Sequence, residues 1–484
     1  MKTKVVSLPL VAAVALIGVF LAGLLVVVPS GKAIPAFSRK YQTSCTTCHN
    51  NFPELNDFGE AFKKRGFKFP KDDELFVKQE PVMLGSKAQK EAFPEAVYPG
   101  EIPGTIPISF RYNGYFTWTA AQPTGVIQST GFVPGSDLFA PNTMTFLAAG
   151  SFGQNLSFWI DDDISVGGAN SEGGLGDGYL KYNDLGHFLK LPKDALNVRV
   201  GQFEMDLPTS QARTIYLSDY DVFDQANVAG AFGTTNNPFV MGAPQRGIEF
   251  GGYPNDGNFM WSVSFFNGNN DGPAIRNTKD IYLRASYKFN LERDPESRKA
   301  IQAAGPTGPR DHTSLRFGGF YYHGNNVQNY GGVTFAGLNQ FSEPFYRAGG
   351  DIRFKYRKLE VIGVGMVGHD NNHLIEGTAD SPVLVSAHPI TFTGGFVAGN
   401  YWIYPWLIAT MRYDFVNSPT DFFNGVSQYQ TRNRVSPGFQ ILVRANIKIA
   451  GEYQYHWGQP YTGPDGSTLF YRPNTFVSGI DYVF

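Results

Sequence analysis

The sequence predicts an all-β protein, a sixteen-stranded antiparallel barrel of the outer-membrane kind preceded by a small helical segment. Three observations lead there. Charged residues make up only 17% of the chain, while aromatics reach 15% and glycine accounts for 55 of 484 residues. An average soluble domain is about 25% charged, so this balance suits a large β-protein that faces lipid. From Ile106 onward, apolar and polar residues alternate in runs long enough to cross a bilayer at a tilt. The runs number sixteen, and single-chain bacterial barrels have an even number.

The chain opens with the features of an export signal. Met1 to Lys4 is basic, Val5 to Val28 is apolar and uncharged, and Gly31 and Ala33 are small residues spaced as at a cleavage site. The apolar run is long enough to serve as an anchor instead, but cleavage after residue 33 is the preferred reading. No later stretch has the length of a transmembrane helix, so any embedding must use strands. The formal net charge is −2. Cleavage would remove Lys2, Lys4 and Lys32 and no acid, leaving a mildly acidic chain with no bulk charge for nucleic acid.

Cys45-Thr46-Thr47-Cys48-His49 follows, in the pattern C-x-x-C-H. This is the signature of covalent c-type haem attachment: two thiols form thioethers to the haem and the adjacent histidine ligates its iron. A zinc site wants four ligands, and these are the only two cysteines. A thioredoxin-like pair wants a βαβ context that the flanks lack. A disulfide across so short a spacing is strained. One covalent haem c is therefore expected, with Cys45 and Cys48 as tethers and His49 as the proximal ligand.

Residues 34–104 read as a small α-helical haem domain and linker, plugging or capping the barrel of residues 105–484. Asn51 is a candidate helix cap with Glu54 as its box partner and Pro53 in the first turn. Phe52, Leu55, Phe58 and Phe62 recur at helical spacing, and Gly66 closes the segment. Those aromatics suit a haem wall, which in so small a domain is also its core. Lys63, Lys64, Arg65, Lys68 and Lys71 read most simply as a solvated face; contact with haem propionates or with an acidic redox partner is the alternative. Met83 is the only methionine in 34–104, and no second histidine lies there. It is thus the simplest candidate for the distal ligand, although methionine more often fills gaps.

Strands are expected at 106–118, 142–150, 155–165, 176–184, 195–205, 246–253, 258–267 and 280–290. The second half of the chain adds 313–323, 345–356, 358–368, 389–402, 405–416, 434–445, 447–457 and 471–484. If the first strand rises from the periplasm, the external connections 119–141, 206–245, 324–344, 369–388, 417–433 and 458–470 are long. Most periplasmic ones are short, the asymmetry of outer-membrane barrels. The connection 291–312 breaks the pattern, implying a miscounted strand or a periplasmic excursion. Phe476, Ile480, Tyr482 and Phe484 share one face of the last strand, a terminal aromatic that fits outer-membrane insertion. A periplasmic sandwich or propeller is the competing fold; the absence of internal repeats weighs against a propeller.

Other chemistry is thin. His369, Asp370 and His373 fall close together in an expected external loop, where a solvated loop is favoured over a metal site. Asp161 and Asp163 share a strand face, and Asp219, Asp221 and Asp224 lie in a long loop; each set could attract cations or simply line a pore. Nothing resembles a hydrolase triad or a phosphate loop.

Ala36-Phe37-Ser38-Arg39, the C-x-x-C-H, Phe52-Pro53-Glu54-Leu55 and Phe58-Gly59-Glu60-Ala61-Phe62-Lys63 before Gly66 together resemble the monohaem cytochrome–porin fusions of iron-oxidising bacteria. The likeness is specific over residues 36–66 and architectural over the barrel. It implies an outer-membrane electron conduit that oxidises extracellular Fe(II) by outer-sphere transfer to one haem and passes electrons to a periplasmic c-type cytochrome. The carry-over reaches Cys45, Cys48 and His49. Outward transfer to an extracellular acceptor, and a diffusion porin with a structural or sensory haem plug, stay open as alternatives. Val82 to Gly104 is longer than the resemblance leads one to expect, which keeps another external partner open.

Overall fold

Sixteen strands close on themselves as an antiparallel barrel in which each strand pairs with its sequence neighbours and the last pairs with the first. They are β1 (Ile108–Thr119), β2 (Ser136–Phe152), β3 (Leu156–Ile164), β4 (Gly174–Tyr182), β5 (Asn197–Phe203), β6 (Gln245–Gly252), β7 (Phe259–Phe266) and β8 (Asp280–Asn290). The wall continues through β9 (Ser314–Asn329), β10 (Gln340–Tyr356), β11 (Leu359–Thr378), β12 (Ser381–Tyr404), β13 (Leu407–Asn417), β14 (Arg432–Arg444), β15 (Ile447–His456) and β16 (Thr475–Val483). The structure, a computed structural model, describes residues 36–69, 73, 77, 82–83, 86–95, 101–102, 104, 107–119, 135–153, 155–164, 173–224, 237–254, 257–274, 276–291, 313–329, 340–378, 381–417, 422–423, 426–427, 432–456, 461–462, 468–469 and 474–484. The expected signal, residues 1–33, lies outside them.

Every expected run falls on one of these strands, because lipid on one side and a polar lumen on the other enforce alternation. Along β8, Ile281, Leu283 and Tyr287 face outward while Tyr282, Arg284 and Ser286 are buried inward. Along β13, Met411 and Tyr413 face outward while Arg412 and Asp414 are buried. Exposed Tyr356, Tyr404 and Trp406 sit at the short turns, as an interfacial aromatic girdle requires. No helix among the described residues is long and apolar enough to cross a membrane. A closed barrel with an apolar outside and a charged inside belongs in the bacterial outer membrane.

Three expectations about connections change. No wall strand is miscounted around 291–312: Asn290 pairs with Ser314 at the short-turn end, and residues 292–312 lie outside the described residues. The stretch 369–388 is not a loop. β11 and β12 continue as a paired hairpin from Leu359↔Tyr401 to Thr378↔Ser381. Beyond the bilayer, water no longer demands alternation, so the strands run on through Asn371, Asn372 and His373 without the apolar signal. The described parts of the connection 204–244, residues 204–224 and 237–244, do not extend outward either. Their buried Met205, Leu207, Ile215, Tyr216, Tyr220 and Phe223 join wall residues such as Phe396 and Val416 in the main hydrophobic cluster inside the barrel.

Residues 36–69 also lie in the lumen, at the short-turn end, with helices α1 (Ala36–Tyr41) and α2 (Asp57–Lys64); a further helix, α3 (Lys87–Ala92), is exposed where described. Tyr41, Phe58, Phe62 and Phe67 pack against Ala149 of β2 and Trp159 of β3. Charge ties the plug to the wall: Arg65 to Asp194 at 2.9 Å, Asp57 to Lys355 at 3.0 Å and Glu54 to Arg353 at 3.4 Å. Burial raises the Asp57 carboxyl, but Lys355, Lys288 and Arg316 overcome this and hold it well below the usual carboxylate range. Lys63, Lys64, Arg65 and Lys68 are therefore not a solvated face, and Lys71 lies outside the described residues. Arg65 pairs with the wall, Lys64 with Glu60 at 3.6 Å, and Lys68 donates to the Gly153 carbonyl at 3.0 Å.

Candidate functional site

Cys45 to Thr47 form a single 3-10 turn, and His49–Asn51 pairs antiparallel with Glu54–Leu55. The cap that joins this unit to α2 is Asn56 rather than Asn51. The Asn56 amide donates to the Cys48 carbonyl at 2.9 Å, its Nδ2 donates to the Thr47 carbonyl at 3.0 Å, and its Oδ1 accepts from the Gly59 amide at 2.8 Å. Asn51 is spent elsewhere: it is buried, with Nδ2 donating to Gln440 of β14 at 2.5 Å. Pro53 accordingly precedes the helix instead of entering its first turn. Gly66 does close it, at φ +71°, a left-handed position that glycine occupies without strain.

Gly59 sits where α2 crosses the cysteine turn. A Cβ there would overlap the Cys48 carbonyl and crowd Leu55. Gly59→Ala is thus expected to push helix and turn apart at about 1–3 kcal/mol. The expected outcome is several-fold faster protease cleavage within residues 36–69; an unchanged rate would refute this role of the crossing.

Both cysteines are free thiols. Burial raises Cys45, and burial with the neighbouring Cys45 pushes Cys48 up to about 12. Both are therefore neutral at ordinary pH. Burial lowers His49 to about 4, only partly opposed by the carbonyls of Pro53 and Glu54. Its imidazole is neutral. Nδ1 lies 3.1 Å from the Pro53 carbonyl oxygen, so donation there leaves the lone pair on Nε2. A ring held through one nitrogen by a backbone carbonyl is the usual arrangement for a histidine that ligates metal through the other.

Cys45, Cys48 and His49 open onto one cavity of about 320 Å³. Its wall is largely apolar and includes the aromatics Phe37, Tyr41, Phe52, Phe62, Phe67 and Trp159. Phe37 meets Phe62 edge-on at 5.0 Å and stacks on Phe67 at 5.1 Å, and Phe67 stacks on Trp159 at 5.7 Å. Barrel residues complete it on one side: Thr145, Asp161, Asp163 and Arg111. Ala212 and Arg213 of the inward connection 204–244 complete it on another. Among the described residues, no methionine and no second histidine lines this cavity. The backbone of Met83 pairs with Glu101; its side chain lies outside the described residues.

The acidic sets resolve into pore lining. Asp163 accepts from Thr145, and Asp161 accepts from the Asp177 amide. Asp221 is buried 3.6 Å from Arg434, while the Asp224 side chain lies outside the described residues. His369, Asp370 and His373 are on β11, not in a solvated loop. Asp370 is bound to Arg347 at 3.0 Å, His373 to Glu343 at 2.9 Å, and His369 to Thr391 at 2.7 Å. Among the described residues, no group of three or more His, Cys, Asp or Glu side chains could hold a metal ion. Sequence reasoning did not find Trp159, Arg111 or Arg213. The alternation of β1 and β3 was a signal for the first two; nothing local marks Arg213 as lumenal.

No known family model matches the chain, and no curated protein matches it in sequence. Among solved structures, the chain is similar to OmpF of Salmonella typhi in complex with daunomycin, at 11% identity and a TM-score of 0.47, over 78% of this chain and 98% of that one. It is similar to the outer-membrane channel DcaP of Acinetobacter baumannii at 15% identity and a TM-score of 0.45, over 78% and 96%. The anion-selective porin of Comamonas acidovorans gives 12% and 0.45, over 78% and 98%. By its own closure, outward apolar face and polar lumen, the chain is a porin-like outer-membrane barrel.

Proposed function

We propose that this barrel is an electron conduit carrying one covalent c-type haem, and that it oxidises extracellular Fe²⁺ in the manner of the monohaem cytochrome–porin fusions. The carrying observation is that both thiols and the neutral His49 of the C-x-x-C-H converge on one aromatic-walled cavity inside the barrel. The donor set suits the group: two uncharged thiols available for thioethers, and an imidazole oriented by the Pro53 carbonyl. The cavity also falls within the usual ligand-pocket range of roughly 300–1,000 Å³.

A haem bound there supplies a one-electron couple. The chain's own residues then do the rest. Cys45 and Cys48 hold the group against loss, His49 provides the proximal nitrogen, and the aromatic wall keeps bulk water away. The overall reaction removes one electron from external Fe²⁺, giving Fe³⁺, and reduces a periplasmic cytochrome c by one electron. No bond is made or broken and no proton moves. Plug and inward connection both occupy the lumen, which favours electron transfer over free diffusion of solute.

Mixing Fe²⁺ with the oxidised, full-length protein in a stopped-flow instrument tests the donor. Haem reduction at the organism's working pH is expected. A haem that stays oxidised with Fe²⁺ but accepts electrons from dithionite would overturn the iron reading. Large open channels in liposomes would favour the diffusion porin instead.

A further inference from the structure

A second cavity, of about 140 Å³, adjoins the cysteine cavity, and the two share Leu55, Lys63 and Arg213 in their linings. Their chemistry differs sharply. The first is mostly apolar, whereas eight lysine and arginine side chains line the second against five carboxylates. Several of those charges satisfy each other: Arg199 pairs with Glu249 at 2.7 Å, Arg213 with Glu204 at 2.8 Å and Arg353 with Glu54 at 3.4 Å. Lys63 and Lys181 make no ion pair with the described residues. Lys181 Nζ donates only to the Lys64 carbonyl and to the Tyr253 hydroxyl, at 2.5 and 2.9 Å. Lys63 Nζ lies over the Trp159 ring, 5.9 Å from its centroid.

Unpaired cations gathered beside an enclosed cavity cost free energy unless an anion joins them. Burial and the neighbouring Arg213 lower the Lys63 ammonium to about 8, which agrees with a cation short of counter-charge.

We propose that the cation-rich cavity would take the carboxylates of a haem held by the cysteine turn, with Lys63, which lines both cavities, and Lys181, which lines the second, as the residues that would hold them. This inference rests on the haem reading above. It assigns Lys63 and Lys181 as positioning residues that hold the carboxylates and offset their charge. Cations so placed favour the reduced state, since reduction adds negative charge near them.

The test is a redox titration of the full-length, haem-loaded protein, followed by haem absorbance. Lys63→Gln and Lys181→Gln are compared with wild type, with their double variant and with Lys358→Gln on the exposed β10–β11 turn. Arg213 is left intact because it holds Glu204. Each lumenal variant is expected to disfavour reduction by roughly tenfold, which is a midpoint lower by about 59 mV for a one-electron couple. Lys63→Arg should restore the midpoint, and Lys358→Gln should leave it unchanged. Unchanged midpoints in the double variant with a full complement of haem would overturn the inference while leaving the haem reading intact. A wild-type chain without covalent haem would remove both. A saturable midpoint shift with inorganic phosphate at constant ionic strength would show that a free anion, and not a propionate, occupies the cavity, and would also overturn it.

Discussion

A Cys45→Ser/Cys48→Ser double variant is expected to assemble as an intact barrel that carries no covalently bound haem. Assembly is expected to survive because closure rests on β16 pairing with β1 from Val483↔Arg111 to Thr475↔Thr119, and neither cysteine takes part. Covalent haem should vanish because the chain has no third cysteine. The measurement is peroxidase staining of denatured protein together with the pyridine haemochrome spectrum, and far-ultraviolet circular dichroism reports the barrel. His49→Ala separates the two roles in the motif. It should keep the covalent tether and change the Soret spectrum, because the proximal nitrogen is lost while the thiols remain. A double variant that retained covalent haem, or a wild-type protein that never contained it, would remove the electron-conduit reading. Stability should fall as well, because the cavity of about 320 Å³ would lose the haem proposed to fill it.

The sixteen strands were legible because a membrane imposes one rule on every residue of the wall. Ile281, Tyr282, Leu283 and Arg284 announce both strand and facing in four letters. Legibility ends where that rule stops acting. β11 runs on through Asn371, Asn372 and His373, where polar residues stand on both faces, Asn372 among them though buried, and the strand leaves no apolar alternation. The inward connection did leave a signal in composition: Met205, Leu207, Ile215, Tyr216, Tyr220 and Phe223 are too apolar for a segment bathed in water. It has no period, however, so pattern alone gives no partner for it. In the plug, the aromatics Phe58 and Phe62 were legible from helical spacing. The cap was not. Asn51 and Asn56 offer the same side chain, and only contacts with the cysteine turn and with Gln440 distinguish them. The charge ties are the least legible of all, since Asp57 and Lys355 lie 298 residues apart and either alone looks like an ordinary solvated charge.

Arg412→Ala is expected to release the inward connection while leaving the barrel closed. Arg412 is fully buried on β13, and its guanidinium serves both sides of the lumen. Nε donates to Asp414 at 2.7 Å; the other nitrogens donate to the Ser218 carbonyl at 3.0 Å, the Ser218 hydroxyl at 2.7 Å and the Asp219 carbonyl at 2.7 Å. It also lies over the rings of Tyr216 and Tyr220, at 4.6 and 4.5 Å. Truncation leaves Asp414 with Arg434 at 3.1 Å and deprives three acceptors on the connection of a donor. Breaking a buried charged pair of this kind costs about 3–5 kcal/mol. The cost should fall on the connection, because β13 keeps its ladders to β12 and β14. At about 1.4 kcal/mol per tenfold, 3 kcal/mol raises the detached population roughly a hundredfold. When opening and closing are fast, cleavage follows that population. Protease cleavage within 204–244 should therefore quicken by about two orders of magnitude, while the barrel keeps its heat-resistant migration in gels. Arg412→Lys, which keeps the charge and loses the fork, should fall between. Wild-type cleavage rates in Arg412→Ala would mean that the apolar packing of Tyr216, Tyr220 and Phe223, with the ties to Glu452, Arg434 and Asn400, holds the connection without Arg412. Cleavage throughout the wall would mean that Arg412 supports the barrel itself.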